Sequence, residues 1–241
     1  MKKFILSAPS YVLFASIKEN CLFLKNFVSD VYLALFELHS CLNYTEEDLP
    51  PDLAEIGLTY HVHLPLDLNW EQADTTSKEL LKLVQKVNFL QPRCFVLHPP
   101  PLARDLKLFV LSWLEAGYLA SSLCLENIQG RNLEDYWQVI EEFDLSICLD
   151  IGHLLAYKQH NILALPGFWP RVKVVHLYGQ EKAGKHTSLE DLPASGWQIL
   201  QEVFFRLENK ILVLELFNRQ DFLSSYQLLL DKKEDLGVCF V

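Results

Sequence analysis

Residues 146–153 read Ser146-Ile147-Cys148-Leu149-Asp150-Ile151-Gly152-His153, a short apolar run that ends in a carboxylate and, three places on, an imidazole. The run has the length of a buried strand, and its polar groups stand at the carboxyl end. The same shape recurs along the chain. Strands are expected at Phe4–Ser7, Val31–Glu37, Leu58–Leu64, Cys94–His98, Ser122–Glu126, Ser146–Asp150, Val172–His176 and Ile211–Glu215. Between them, Lys18–Phe27, Ser77–Leu90, Asp105–Ala116, Leu133–Phe143, Gly196–Leu207 and Asp221–Leu230 repeat apolar residues three or four places apart, the period of amphipathic helices.

Strands alternating with helices predict parallel strands joined by crossovers, and eight such strands predict an α/β chain folded as a (β/α)8 TIM barrel. Closure also leaves no sheet edge to protect. A length of 241 residues suits one domain spanning 1–241, because such barrels commonly take about 250 residues. The weakest stretch is 40–57, where NYTEEDLPPDLAEIG is polar and Pro-rich and holds at most a short helix.

Half the residues are hydrophobic, enough to build a packed core against the entropy of ordering the backbone. Acidic residues number 31 against 21 basic ones, and the net charge of −10 repels polyanions, so nucleic acid is not the expected partner. The opening Met1-Lys2-Lys3-Phe4-Ile5-Leu6-Ser7-Ala8 has the ingredients of a leader peptide, but it meets Pro9 and Ser10 far short of the roughly 20 apolar residues of a membrane span. It reads as the first strand. No later stretch reads as a span. Cys21, Cys41, Cys94, Cys124, Cys148 and Cys239 stand singly among apolar neighbours, which predicts reduced thiols and a cytoplasmic protein.

Polar residues inside the strands are not scattered. The third strand reads Tyr60-His61-Val62-His63, the fourth ends at His98, the fifth at Glu126-Asn127, the sixth at Asp150 with His153 beyond, the seventh at His176 and the eighth at Glu215. A parallel barrel brings these carboxyl ends to one rim, where active sites form. His and carboxylate donors together suit zinc, or manganese as the alternative. Each residue has an ordinary use, a His capping a carbonyl or a Glu pairing with a helix. Their shared position argues otherwise, since several unpaired buried charges would cost several kcal/mol apiece.

The series His63…His98-Pro99…Glu126-Asn127…Asp150-x-x-His153…His176…His186…Glu215 resembles the xylose-isomerase-like barrel superfamily over nearly the whole chain, and within it the AP-endonuclease branch typified by endonuclease IV. The resemblance implies one ion on His63, His98 and Glu126, and a second on Glu126, Asp150, His176 and Glu215. His153 and His186 remain for a third, but Gly184 stands where that branch carries an Asp, so one or two ions are expected. Glu126 and Glu215 are the expected catalytic carboxylates. His61, on the same strand face as His63, and Lys185 are the candidates for binding substrate. His39 and His160 are expected bystanders, and Phe168, Trp169 and Trp197 are expected to pack helices.

Two enzymatic readings follow. The extra imidazoles His63, His98 and His186 resemble the phosphoesterase branch and favour hydrolysis of a small phosphodiester. The HVHLPLDLNW and LDIGHLLAY stretches further resemble cobamide-remodelling hydrolases, which would make a corrinoid the substrate. The alternative is a sugar or sugar-phosphate isomerase or epimerase, for which Glu126, Asp150, His176 and Glu215 suffice. DNA repair by an AP endonuclease fits the acidic chain poorly, and a non-catalytic binder fits the near-complete ligand set poorly.

Overall fold

The computed structural model describes residues 1–182 and 184–241. Strands β1 (Lys2–Pro9), β2 (Asp30–Ala34), β3 (Thr59–His63), β4 (Phe95–Leu97), β5 (Leu123–Glu126), β6 (Ser146–Asp150), β7 (Val172–Leu177) and β8 (Lys210–Leu214) lie side by side in chain order, all parallel. β8 pairs back onto β1, from Phe4 opposite Lys210 to Ser7 opposite Val213, and closes the barrel. The expected eight strands are all present, Ser146–Asp150 with both ends as expected and the others with ends displaced by at most three residues.

Helices α1 (Ile17–Leu24), α2 (Leu38–Leu42), α3 (Ala73–Val87), α4 (Ala103–Glu115), α5 (Trp137–Phe143), α6 (Ile151–Ala156), α7 (Phe168–Arg171), α8 (Ala194–Arg206) and α9 (Arg219–Lys232) make up the helical share of the chain. Their starts have local causes. Ser16 accepts from the Glu19 amide while the Glu19 carboxylate accepts from the Ser16 amide at 2.9 Å, a reciprocal cap that fixes the first turn of α1. Helix α3 buries Leu80, Leu83, Val84 and Val87 on one stripe, each contributing about 1.5–3 kcal/mol.

Three features depart from the sequence pattern. Residues 133–143 split into a 3-10 turn (Leu133–Tyr136) followed by α5, whereas 40–57 holds, as expected, only short helical pieces, the end of α2 and the 3-10 turn Pro51–Glu55. A last strand, β9 (Val238–Phe240), pairs with the start of β1, Lys2 opposite Val238. It is too short for alternation to reveal. A hairpin with arms Glu181–Lys182 and Lys185–His186 follows β7.

Alternation along the strands separates two apolar zones. Val96, Cys124, Cys148, Val174 and Val213 cluster inside the barrel, whereas Leu33, Val62, Leu97, Leu125 and Leu149 belong to the larger core under the helices. All six cysteines are free, five of them buried. Among the described residues no helix is long and apolar enough to cross a membrane.

Candidate metal centre and active site

The alternation that turns Cys148 inward also turns Asp150 inward, at the top of β6. Asp150 lies opposite His176 of β7, and His176 lies opposite Val213 of β8, two residues before Glu215. On the other side of the barrel His63 lies opposite Ala34 and Val96. The rim is therefore set by register before any side chain is placed.

Glu126 stands at its centre. Its Oε2 lies 3.1 Å from His63 Nε2 and 3.4 Å from His98 Nε2, and its Oε1 lies 3.3 Å from His153 Nδ1 and 3.6 Å from His176 Nδ1. His176 Nδ1 also lies 3.3 Å from Glu215 Oε2 and 3.8 Å from Asp150 Oδ2, and His186 Nδ1 lies 3.5 Å from Glu215 Oε2. Every residue expected as a metal ligand is thus in one connected cluster. Two of its subsets, His63–His98–Glu126 and Asp150–His176–Glu215, bring one donor atom each within 4.8 Å of one another.

Most of these contacts are too long or misaligned to bond. Asp150 Oδ2, both nitrogens of His176 and Glu215 Oε2 are buried without a hydrogen-bond partner. Leaving such atoms unpaired costs about 1–3 kcal/mol each, and more for charged groups. Three of these atoms, Asp150 Oδ2, His176 Nδ1 and Glu215 Oε2, converge from different strands, and such a donor set fits a divalent cation. The imidazoles are prepared in the same sense. His63, His153 and His186 each donate Nδ1–H to a main-chain carbonyl, of Leu64, Asn127 and Glu215, which fixes the ring and, once it is neutral, leaves Nε2 as the nitrogen that can ligate.

The Asp150-x-x-His153 spacing has a local cause. Asp150 is the N-cap of α6: its Oδ1 accepts from the His153 amide at 2.6 Å, so only Oδ2 faces the cluster. Asn127 braces the same point, accepting from the Asp150 amide at 2.8 Å and donating to the Asp150 carbonyl at 3.0 Å. Gly152 is needed because the Tyr178 ring occupies the place of a Cβ. That ring in turn stacks on His186, with centroids 3.6 Å apart and planes 5° from parallel.

Charge follows geometry. Burial disfavours the charged form of Glu126 and Glu215, but His176 and its neighbours outweigh it, holding Glu126 well below the ordinary carboxylate range and Glu215 down to about 2. Burial likewise disfavours the imidazolium of His153, yet Asp150 and Glu126 push its pKa up to about 10. For His98 burial prevails and the pKa falls. Cys148 approaches Glu126 and His176, but burial keeps its thiol protonated, a poor ligand.

Sequence reasoning missed several residues here. Tyr32 donates its phenol hydrogen to Glu215 Oε1 at 3.2 Å from inside β2, and Glu181 in the hairpin accepts from the Tyr157 hydroxyl at 2.5 Å and lies 3.8 Å from His153 Nε2. Period-two reading of β2, Asp30-Val31-Tyr32, would have flagged Tyr32. The two expected substrate-binding residues lie elsewhere. His61 is fully buried, its Nδ1 2.5 Å from Asp30 Oδ1, one layer below the cavity. Lys185 is exposed on the hairpin and does not line the cavity. His39 and His160 are exposed, Phe168 is buried and Trp169 and Trp197 are packed against the core. Gly184 adopts φ +71°, the left-handed turn that favours glycine over the Asp of the related pattern.

The ligand cluster forms the floor and walls of a cavity of about 260 Å³. No family profile and no curated protein matches the sequence. Solved structures do. A D-tagatose 3-epimerase-like protein shares 16% identity at a TM-score of 0.77, with 98% of each chain covered. A xylose isomerase domain protein from Planctomyces limnophilus shares 16% at 0.67, covering 97% of this chain and 98% of its own. D-Psicose 3-epimerase with D-tagatose, from Clostridium cellulolyticum H10, shares 12% at 0.66, covering 99% and 100%.

This chain shares its (β/α)8 barrel fold with them. These neighbours correct the expectation of phosphodiester hydrolysis, and with it the cobamide and corrinoid reading: the three structures just named bear the names of sugar epimerases and an isomerase, and none that of a phosphoesterase. The extra imidazoles misled because they were counted as a second branch's ligands. In the structure His63 and His98 lie against Glu126 and His186 against Glu215, the two carboxylates that the smaller set uses.

Proposed function

We propose that this chain is a divalent-metal-dependent epimerase or isomerase of a small ketose. The observation that carries the reading is the set of unpaired buried atoms on Asp150, His176 and Glu215, with Glu126 and Glu215 both reaching the cavity wall. Three carboxylates and one imidazole suit manganese, whereas the trio His63, His98 and Glu126 suits zinc, so one or two ions are accommodated. An ion held there would stabilise negative charge on the substrate's oxygens.

The chain's own groups do the rest. Glu126 and Glu215 flank His176 Nδ1, at 3.6 and 3.3 Å, so a substrate above them meets a carboxylate on either side. One accepts the proton from the carbon beside the carbonyl; the other, protonated from solvent through the open cavity, returns a proton to the opposite face. The carbon inverts and the proton count is unchanged. Return of the proton to the neighbouring carbon would instead interconvert ketose and aldose. Tyr32 keeps Glu215 oriented, His61 supports β3 through Asp30, and Lys185 faces outward. The chain acts as one domain in this reading, supported by β9 pairing with β1, and the free cysteines suit a reducing cytoplasm.

The test is incubation of manganese- or zinc-loaded protein with D-tagatose and the other D-ketohexoses, followed by carbon NMR. Appearance of an epimer or aldose, abolished by chelator and restored by metal, is expected. No product from any ketose would contradict the proposal.

A further inference from the structure

The cavity lining has an apolar and a polar part. Phe36 beyond β2, Leu66 beyond β3 and Phe217 beyond β8 make the first, and Phe36 meets Phe217 edge to face with centroids 5.7 Å apart. His153, Glu181 and His186 belong to the second, with the His186 ring 5.5 Å from that of Phe217. Glu181 is held there by the Tyr157 hydroxyl.

Among the described residues, no lysine or arginine lines this cavity. The two lysines of the adjoining hairpin are turned away. Lys182 pairs with Lys185 across the arms, and cross-strand partners share a face. The Lys182 ammonium lies 3.2 Å from the exposed Asp191 carboxylate, whereas His186, the next residue along, turns the other way onto Tyr178 and Glu215.

A phosphate group asks for cations or a set of N–H donors. Here it would meet the Glu126, Glu181 and Glu215 carboxylates, with Asp150 beneath them, in a protein of net charge −10. Sugar hydroxyls, by contrast, can both donate to the Glu181 carboxylate and accept from an imidazole N–H. The C–H face of the same molecule is apolar and can lie on Phe36, Leu66 and Phe217.

We infer that the substrate is an unphosphorylated polyhydroxy ketone, bound with its carbon-hydrogen face against Phe36, Leu66 and Phe217 and its hydroxyls toward His153, Glu181 and His186. The inference rests on the epimerase reading and narrows it, since it excludes sugar phosphates.

The test compares initial rates of the metal-loaded full chain on the D-ketohexoses and on their terminal phosphate esters. The free sugar is expected to show kcat/KM about 100-fold above its ester. Leu66→Arg places a cation on an exposed wall position without disturbing the core, and is expected to raise kcat/KM for the ester about 10-fold. Esters used as well as or better than free sugars would overturn this inference and leave the epimerase reading standing. Turnover of neither class would overturn both.

Discussion

The Tyr32 hydroxyl donates to Glu215 Oε1 while its ring stacks on His63 and His176, with centroids 5.3 and 5.6 Å away. A single side chain on β2 thus packs against imidazoles from β3 and β7 and orients a carboxylate beyond β8. Tyr32→Phe keeps the stacking and removes only the donor. Its expected effect is a fall of about 10-fold in kcat, with stability lower by about 1 kcal/mol. Steady-state kinetics beside a thermal melt checks this; unchanged kcat would show that Glu215 needs no such orientation.

Metal loading should release protons. In the metal-free protein the pKa of His153 is raised from 6.5 to about 10, so the folded chain binds a proton near neutrality that the unfolded chain has largely lost. This contribution to stability is fully present below pH 6.5 and is lost as the pH rises through about 10. A cation on Glu126 and Asp150, whose oxygens lie 3.3 and 3.5 Å from His153 Nδ1, repels that proton, so metal affinity should rise with pH across the same window. Calorimetric titration with manganese in two buffers of different ionisation enthalpy reads the release directly. Buffer-independent heats would contradict it.

Gly152→Ala should damage the site from behind. The added methyl meets the Tyr178 ring, which must move, and the ring carries His186 by stacking. The expected cost is about 1–3 kcal/mol of stability, with weakened metal binding. Urea unfolding and metal titration on the same preparation check both parts.

Asp30→Ala should separate stability from metal binding. Asp30 is fully buried and accepts from Ser7 at 2.9 Å and Thr59 at 2.8 Å besides its contact with His61. Removing it leaves buried partners unsatisfied, at a cost of about 3–5 kcal/mol. Metal affinity of the fraction that folds should stay near that of the parent. A loss of affinity alone, without loss of stability, would place this cluster in the site.

The eight strands were legible because each is a short apolar run, and the barrel followed from their number and spacing. The ligands were legible because His and carboxylate side chains at strand ends interrupt those runs. Tyr32 escaped notice because a tyrosine in a strand is ordinary, and its role depends on Glu215, 183 residues away. Glu181 lies in a two-residue hairpin arm with no periodicity to read. Choosing hydrolysis over proton transfer failed for a related reason: sequence order says which side chains reach the rim and which could share Glu126, but not which reaction they serve there.

The central claim is that Glu126 and Glu215 move a carbon-bound proton. Incubating the metal-loaded protein with D-ketohexoses in deuterium oxide and following the sugar carbons by NMR tests it most directly. The account predicts deuterium at the carbon beside the carbonyl of the epimerised sugar, with the rate reduced by about 1,000-fold or more in Glu126→Gln and Glu215→Gln, two variants that remove the proton acceptor but keep the side-chain shape. Epimerisation at the parental rate in either variant would contradict it, as would the absence of exchange from every ketose.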